Sequence, residues 1–223
     1  MMRGETFKFM KLTSGFIFAA ILSCTALMAA ETLPDPLLDS PKSLQGKQSA
    51  VFAGGCFWCT EAVFELIRGV DTVISGYAGG DKKTAHYEMV GEGRTNHAES
   101  IQINYDASKI SYGQLLKIFF GSAHDPTQVN RQGPDSGRQY RSAIFYSNEE
   151  QKKIAESYIA QLTDAHVFSK KIATEVAALP AFYPAEGYHQ DFVKLNPNHP
   201  YVLVNSVPKV QKTKAMFKDW IKK

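Results

Sequence analysis

The chain is poor in cysteine. Three stand in 223 residues, at positions 24, 56 and 59, too few for a framework of stabilising disulfides. It also lacks a dominant charge. Twenty-five Lys plus Arg against 22 Asp plus Glu leave +3, too small an excess to make a nucleic acid or an acidic membrane the main partner. No internal repeat is visible. What is present is ordinary for a folded protein: 44% apolar and 21% charged residues, a composition that excludes collagen-like, low-complexity and wholly disordered chains. The length allows one or two domains at about 150 residues each.

Residues 1–30 carry Arg3, Lys8 and Lys11, then no charge from Leu12 to Ala30, with the apolar centre GFIFAAIL and small residues at Ala29 and Ala30. This is the pattern of an export signal. Thr13, Ser14, Gly15, Ser23, Cys24 and Thr25 dilute the apolar run, so a retained membrane anchor, or lipidation at Cys24, is the weaker alternative. Cleavage near Ala30 leaves 22 basic and 21 acidic residues, a mature chain near +1 with two thiols, in an oxidising, periplasmic compartment.

Residues 31–48 (ETLPDPLLDSPKSLQGKQ) lack periodicity and read as a surface linker or arm, with the domain over 49–223 starting near Ser49. SAVFAGG is a short strand ended by a glycine pair. Cys56 then opens a helical stretch with Val63, Phe64 and Ile67 on one face, closed by Gly69. VDTVISGYAGG, AESIQINYD (98–106), RSAIFY (141–146) and IATEVAAL (172–179) have strand character. Ser111 with Gln114 and Ser147 with Glu150 carry capping-box spacing before two helices. The loops 79–97 and 121–140 exceed ordinary connection lengths, which marks them as binding or catalytic segments. From Pro208 the tail KVQKTKAMFKDWIKK forms a basic amphipathic helix over about 208–222, read as a docked terminal helix, with a membrane-surface role as the alternative.

The informative pair is Cys56 and Cys59. Cys56 follows Gly54-Gly55 and falls in the first helical turn, where unpaired N–H groups and the helix dipole favour a thiolate, so its thiol pKa is expected to be lowered. A merely buried cysteine needs neither the glycines nor a second cysteine three residues on. Structural zinc needs two further ligands, and His97 and His124 are isolated. A thioredoxin-like oxidoreductase remains a rival, because CxxC at a helix start is its arrangement.

GCFWCTEAVF (55–64) resembles the active-site signature of the A-type peptide methionine sulfoxide reductases, and the resemblance continues through GYAGG (76–80), HAES (97–100), HDPTQ (124–128), QYRSAI (139–144) and EGYHQ (186–190). It covers about residues 50–197. It implies an α+β fold, a two-layer α/β sandwich with a ferredoxin-like core and long active-site loops. The implied activity is reduction of the S epimer of methionine sulfoxide, free or in proteins. It also implies roles. Cys56 is the attacking thiolate. Glu99 is the acid that protonates the departing oxygen, which at neutral pH requires a poorly solvated pocket that raises its pKa. Tyr87 and Tyr140 donate to the same oxygen. Phe57 and Trp58 form the apolar wall for the substrate methyl group, and Asp135 orients the substrate. Read alone, Glu99 is a solvated strand carboxylate, the tyrosines are packing residues and Asp135 closes a loop turn. His189 reads as a structural histidine before a supporting one.

After oxygen transfer the attacking cysteine is a sulfenic acid that another thiol must resolve. Many relatives keep that thiol in a C-terminal tail and have glycine where Cys59 stands. Here no cysteine follows Cys59, so a Cys56–Cys59 disulfide is expected, reduced by a thioredoxin-like partner; the alternative is a Cys59 buried on the helix, with the sulfenic acid reduced directly by a small thiol or an external protein. The expected partners are methionine-sulfoxide-containing proteins, free methionine sulfoxide and that reductant, acting on a monomer; no metal, organic cofactor or nucleic acid is implied. Two rival readings are a general dithiol–disulfide oxidoreductase, with no use for Glu99, Tyr87 and Tyr140, and a non-catalytic exported interaction domain.

Overall fold

A computed structural model of the chain describes Met1 and residues 33–41 and 43–223. The export signal expected over 1–30 lies, Met1 aside, outside the described residues. Six segments build the frame: β1 (Lys47–Gly54), α1 (Phe57–Glu65), β2 (Val70–Ala78), β3 (Ala98–Asp106), α3 (Tyr112–Ile118) and β6 (Ser142–Tyr146); the loops between hold α2 (Tyr87–Gly91), β4 (Arg131–Gln132) and β5 (Asp135–Ser136). The strands run β6-β1-β3-β2 across the sheet, each pair antiparallel. That order, threaded as β-α-β-β-α-β, is ferredoxin-like, as expected. β7 (Glu175–Ala178), reached through α4 (Glu149–Asp164), extends the β6 edge in parallel, and β8 (Phe182–Pro184), followed by the short α5 (Phe192–Leu195), extends the β2 edge antiparallel.

β1 shows why the sheet has one helical face. Ala50 and Phe52 point into the main core, while Val51 and Ala53 join a smaller cluster on the other face with Ala78, Ala98, Ala143 and Phe145, the alternation that a strand imposes. Phe52 packs its ring 5.0 Å from Phe119, 5.9 Å from Tyr112 and 6.0 Å from Phe64, which locks β1 to α1 and α3. Burying one such ring contributes about 1.5–3 kcal/mol.

Three boundaries differ in detail from the sequence reading. The capping box at Ser111 and Gln114 forms, but α4 is capped by Asn148, which accepts from the Gln151 N–H at 2.8 Å, instead of by Ser147 and Glu150. Gln151 takes the reciprocal bond from the Ser147 N–H and also donates to the Ser49 carbonyl at 2.8 Å, so tying the helix to β1 chooses the register. The terminal helix α6 (Val207–Met216) stops at Phe217, whose ring turns in to pack beside Trp220 at 5.4 Å. The chain then runs back over α1, where Lys222 donates to the Leu66 carbonyl at 2.8 Å. Finally, the strand begins at Lys47, and the segment before it is a docked arm. Asp39 accepts from Gly113 N–H at 2.7 Å and from Ser111, Tyr158 donates to the Pro34 carbonyl, and Leu33 is buried.

Candidate active site

β1 ends in a turn that only glycine can make. Gly55 has φ +85, and a Cβ there would sit 2.4 Å from the Gln132 side chain, which is held by bonds to Asp125. This bend sets Cys56 as the residue that opens α1, its carbonyl accepting from Cys59 N–H at 3.1 Å and Thr60 N–H at 3.4 Å. Cys59 follows one helical turn on. Both are free thiols, buried and in hydrogen-bond contact with each other.

The helix start does not act on Cys56 as expected. The Phe57 N–H, one of the donors that was to favour a thiolate, is given to Glu99 Oε2 at 3.1 Å. Burial and the Cys59 contact then push the Cys56 thiol well up, and a charge on Glu99 would push it further. Cys59 moves the other way, to about 6: the Cys56 thiol donates to it, and Lys209, Ser206 (Oγ 3.1 Å from Sγ) and Tyr201 favour its thiolate against the opposing effect of burial. Of the pair, Cys59 ionises first and Cys56 keeps the proton. The lowered pKa read for Cys56 thus falls on its partner, because backbone donors were already engaged and the tail brings polar groups to Cys59.

Glu99, from β3, is buried against this pair. Burial raises its pKa to about 8, helped by the charges of Asp135 and Cys59 and opposed by the Phe57 N–H, so the carboxyl is protonated at neutral pH. Tyr87, at the start of α2, and Tyr140, in the second long loop, are held protonated by burial and lie near enough to Glu99 and Cys56 that ionising either would raise both phenols further. The two long loops therefore converge on one carboxyl.

Phe57 is wholly buried, its ring 5.9 Å from Tyr77 and 5.0 Å from His189. Trp58 is half-buried and wedged: it stacks on Phe192 at 3.7 Å with 8° between planes, meets Tyr201 edge-on at 5.7 Å, and donates its indole N–H to His189 Nδ1 at 3.1 Å. His189 thereby accepts through Nδ1, burial keeps it neutral, and its ring lies 4.4 Å from Tyr87. It supports three site rings at once, those of Phe57, Trp58 and Tyr87. Asp135 accepts from the Tyr201 hydroxyl, which also touches both sulfurs.

Sequence reasoning missed Tyr201 and Ser206, which reach the thiols from the C-terminal segment, Lys209, whose charge acts on Cys59, and Glu186, which accepts from Tyr87 N–H at 2.9 Å and from the Tyr77 hydroxyl at 2.8 Å. Glu186 stands in EGYHQ and was within reach of the motif; the other three carry no local signal. Among the described residues no group of three His, Cys, Asp or Glu side chains is arranged to hold a metal ion.

Two reactive sulfurs beside a carboxyl kept neutral define a cysteine-based oxidoreductase. Residues 48–221 match the family model of the peptide methionine sulfoxide reductases. The chain is 56% identical over 196 residues to peptide methionine sulfoxide reductase MsrA 2 of Synechocystis, covering 86% of this chain and 92% of that protein. It is 54% identical to MsrA 2 of Mesorhizobium japonicum, covering 79% and 90%. Among solved structures it resembles reduced Mxr1 of Saccharomyces cerevisiae (TM-score 0.63, 32% identity, 69% of this chain and 87% of that one) and methionine sulfoxide reductase A of Corynebacterium diphtheriae (TM-score 0.61, 32% identity, 74% and 84%). The chain belongs to the peptide methionine sulfoxide reductase family.

Proposed function

We propose that this enzyme reduces the S epimer of methionine sulfoxide, free and within proteins, with Cys56 as nucleophile, Glu99 as acid and Cys59 as resolving thiol. The observation that carries this is the buried Glu99 carboxyl, which accepts from the Phe57 N–H at the start of α1, next in the chain to Cys56. A dithiol exchanger has no use for it.

The arrangement supports the following sequence. The sulfoxide oxygen accepts from Glu99 and from the Tyr87 and Tyr140 hydroxyls, while Phe57 and Trp58 receive the methyl group and Asp135, with Tyr201, orients the backbone. Hydrogen bonding to the oxygen draws electrons from sulfur. As Cys56 attacks, its proton passes along the existing contact to the Cys59 thiolate, so the nucleophile forms only when substrate is present. Glu99 protonates the oxygen, which passes from the substrate sulfur to Cys56 Sγ; the substrate S–O bond and the bond made by the attack both break as the Cys56 S–O bond forms, and methionine leaves with Cys56 as a sulfenic acid. Cys59 then attacks the Cys56 sulfur, water departs, and a Cys56–Cys59 disulfide remains. Two thiols have been oxidised for one sulfoxide reduced. A thioredoxin-like dithiol protein returns the two electrons. The leader over 1–30 supports an exported site of action, which N-terminal sequencing of the protein recovered from the periplasm tests by a new terminus near residue 31.

The deciding experiment gives the full chain, with dithiothreitol, the separated S and R epimers of a blocked methionine sulfoxide. Consumption of the S epimer alone, reduced at least about a thousandfold by Cys56→Ser, is the expected result. Consumption of neither epimer by folded, reduced protein, together with reduction of insulin disulfides, would move the exchanger reading to the front.

A further inference from the structure

The C-terminal segment gives the two sulfurs unequal surroundings. Ser206, at the end of a π-helical turn (Val202–Ser206) leading into α6, is wholly buried, and its hydroxyl lies 3.1 Å from Cys59 Sγ. The Tyr201 hydroxyl touches the same sulfur, and Lys209 on α6 adds positive charge to its surroundings. Cys59 is 1% exposed. Cys56 is 6% exposed and has instead the carboxyl of Glu99 beside it. In thiol–disulfide exchange the better stabilised thiolate departs, and the sulfur that is reached is the one attacked. Here the two criteria select opposite ends of one bond.

We propose that Tyr201, Ser206 and Lys209 hold Cys59 as the departing thiolate when the enzyme is reset, so that the external reductant bonds to Cys56, with Ser206 as the positioning residue. This rests on the Cys56–Cys59 disulfide of the proposed function. A thiolate of a dithiol reductant attacks Cys56 Sγ. The Cys56–Cys59 bond breaks, and its electron pair goes to Cys59 Sγ, which accepts from the Ser206 hydroxyl. The reductant's second thiolate then attacks its own sulfur in the mixed disulfide and releases Cys56 as a thiolate, which takes up a proton. The reductant is oxidised by two electrons to its disulfide, and the enzyme regains both thiols. At neutral pH a thiol that ionises near 6 leaves without needing a proton.

The test uses the full chain carrying Cys24→Ser, so that two cysteines remain. One turnover on methionine sulfoxide without reductant is followed by a thiol count. A thioredoxin lacking its second active-site cysteine is then added to trap the mixed disulfide, and peptide mass spectrometry locates it. Attachment to Cys56 is expected. Attachment to Cys59 overturns this proposal and leaves the disulfide reading intact, whereas two thiols or a lasting sulfenic acid after turnover overturn that reading and this proposal with it. In addition, Ser206→Ala slows dithiothreitol reduction of the oxidised enzyme about tenfold at pH 7 and moves the pH profile of Cys59 alkylation upward by about one unit. A variant that is merely less stable leaves that profile in place, and an unmoved profile overturns the part given to Ser206.

Discussion

Glu99 and Glu61 are alike by every simple measure and differ in what surrounds them. Both are 2% exposed, and burial first raises both to a pKa of about 8. Glu99 reaches the start of α1 from β3, against two sulfurs and the phenols of Tyr87 and Tyr140. Glu61 lies on α1 itself, accepts from the Asp191 backbone and has Glu65 and Asp191 as its charged neighbours. A perturbed carboxyl is therefore not a catalytic one. It becomes an acid only where a nucleophile and further donors converge on the same substrate atom.

The largest expected effect separates the pair outright. Glu99→Gln should lower kcat for S-sulfoxide reduction by about 10²–10³-fold, since a positioned acid contributes on that scale, while Glu61→Gln stays within about threefold under the same assay. Equal losses would erase the distinction. The pH profile sharpens it: in the wild type the sulfoxide-reduction step, followed in single turnovers, should fall as pH rises through about 8, where Glu99 loses its proton, and Glu61→Gln should not move that limb. Removing one phenol should cost less, about tenfold in kcat for Tyr87→Phe or Tyr140→Phe, the loss of one hydrogen bond to a developing charge.

Stability is where the two carboxyls should behave alike. A carboxyl raised from 4.5 to about 8 on folding keeps a proton that the unfolded chain has lost, so stability is highest below about 4.5 and declines as pH climbs to 8. For Glu99 the decline is on the order of 3 kcal/mol by pH 7. Each Gln variant should flatten the wild-type decline between pH 4.5 and 8 in urea titrations. A flat wild-type curve would show that neither group is neutral in the folded state. Gly55→Ala provides the backbone control, with an expected loss of about 1–3 kcal/mol from a left-handed residue that has no room for a methyl group.

Much of this arrangement could be read along the chain. The frame strands, the α1 start at Cys56 and the cap at Ser111 are local events, governed by alternation, glycine and side-chain reach. The motif resemblance placed Glu99, Tyr87, Tyr140 and Asp135 in one neighbourhood, and the fold brings all four there. What failed was electrostatic. The thiol at the helix start was expected to have a lowered pKa, yet the Phe57 N–H faces Glu99 and the tail stabilises Cys59, contacts spanning 42 residues or more that no local pattern encodes. The break at Phe217 is likewise a long-range effect, because the ring turns inward against Gly121.

By itself, then, the sequence determined the family, the order of strands and helices, and the placing of Cys56 at a helix start with Cys59 one turn on, because each rests on short-range spacing. Only the tertiary structure decided which sulfur ionises, which carboxyl stays protonated beside it and which hydroxyls reach the pair. Proton affinity depends on water excluded and charges brought near, and both are set by groups distant in the chain and adjacent in the fold.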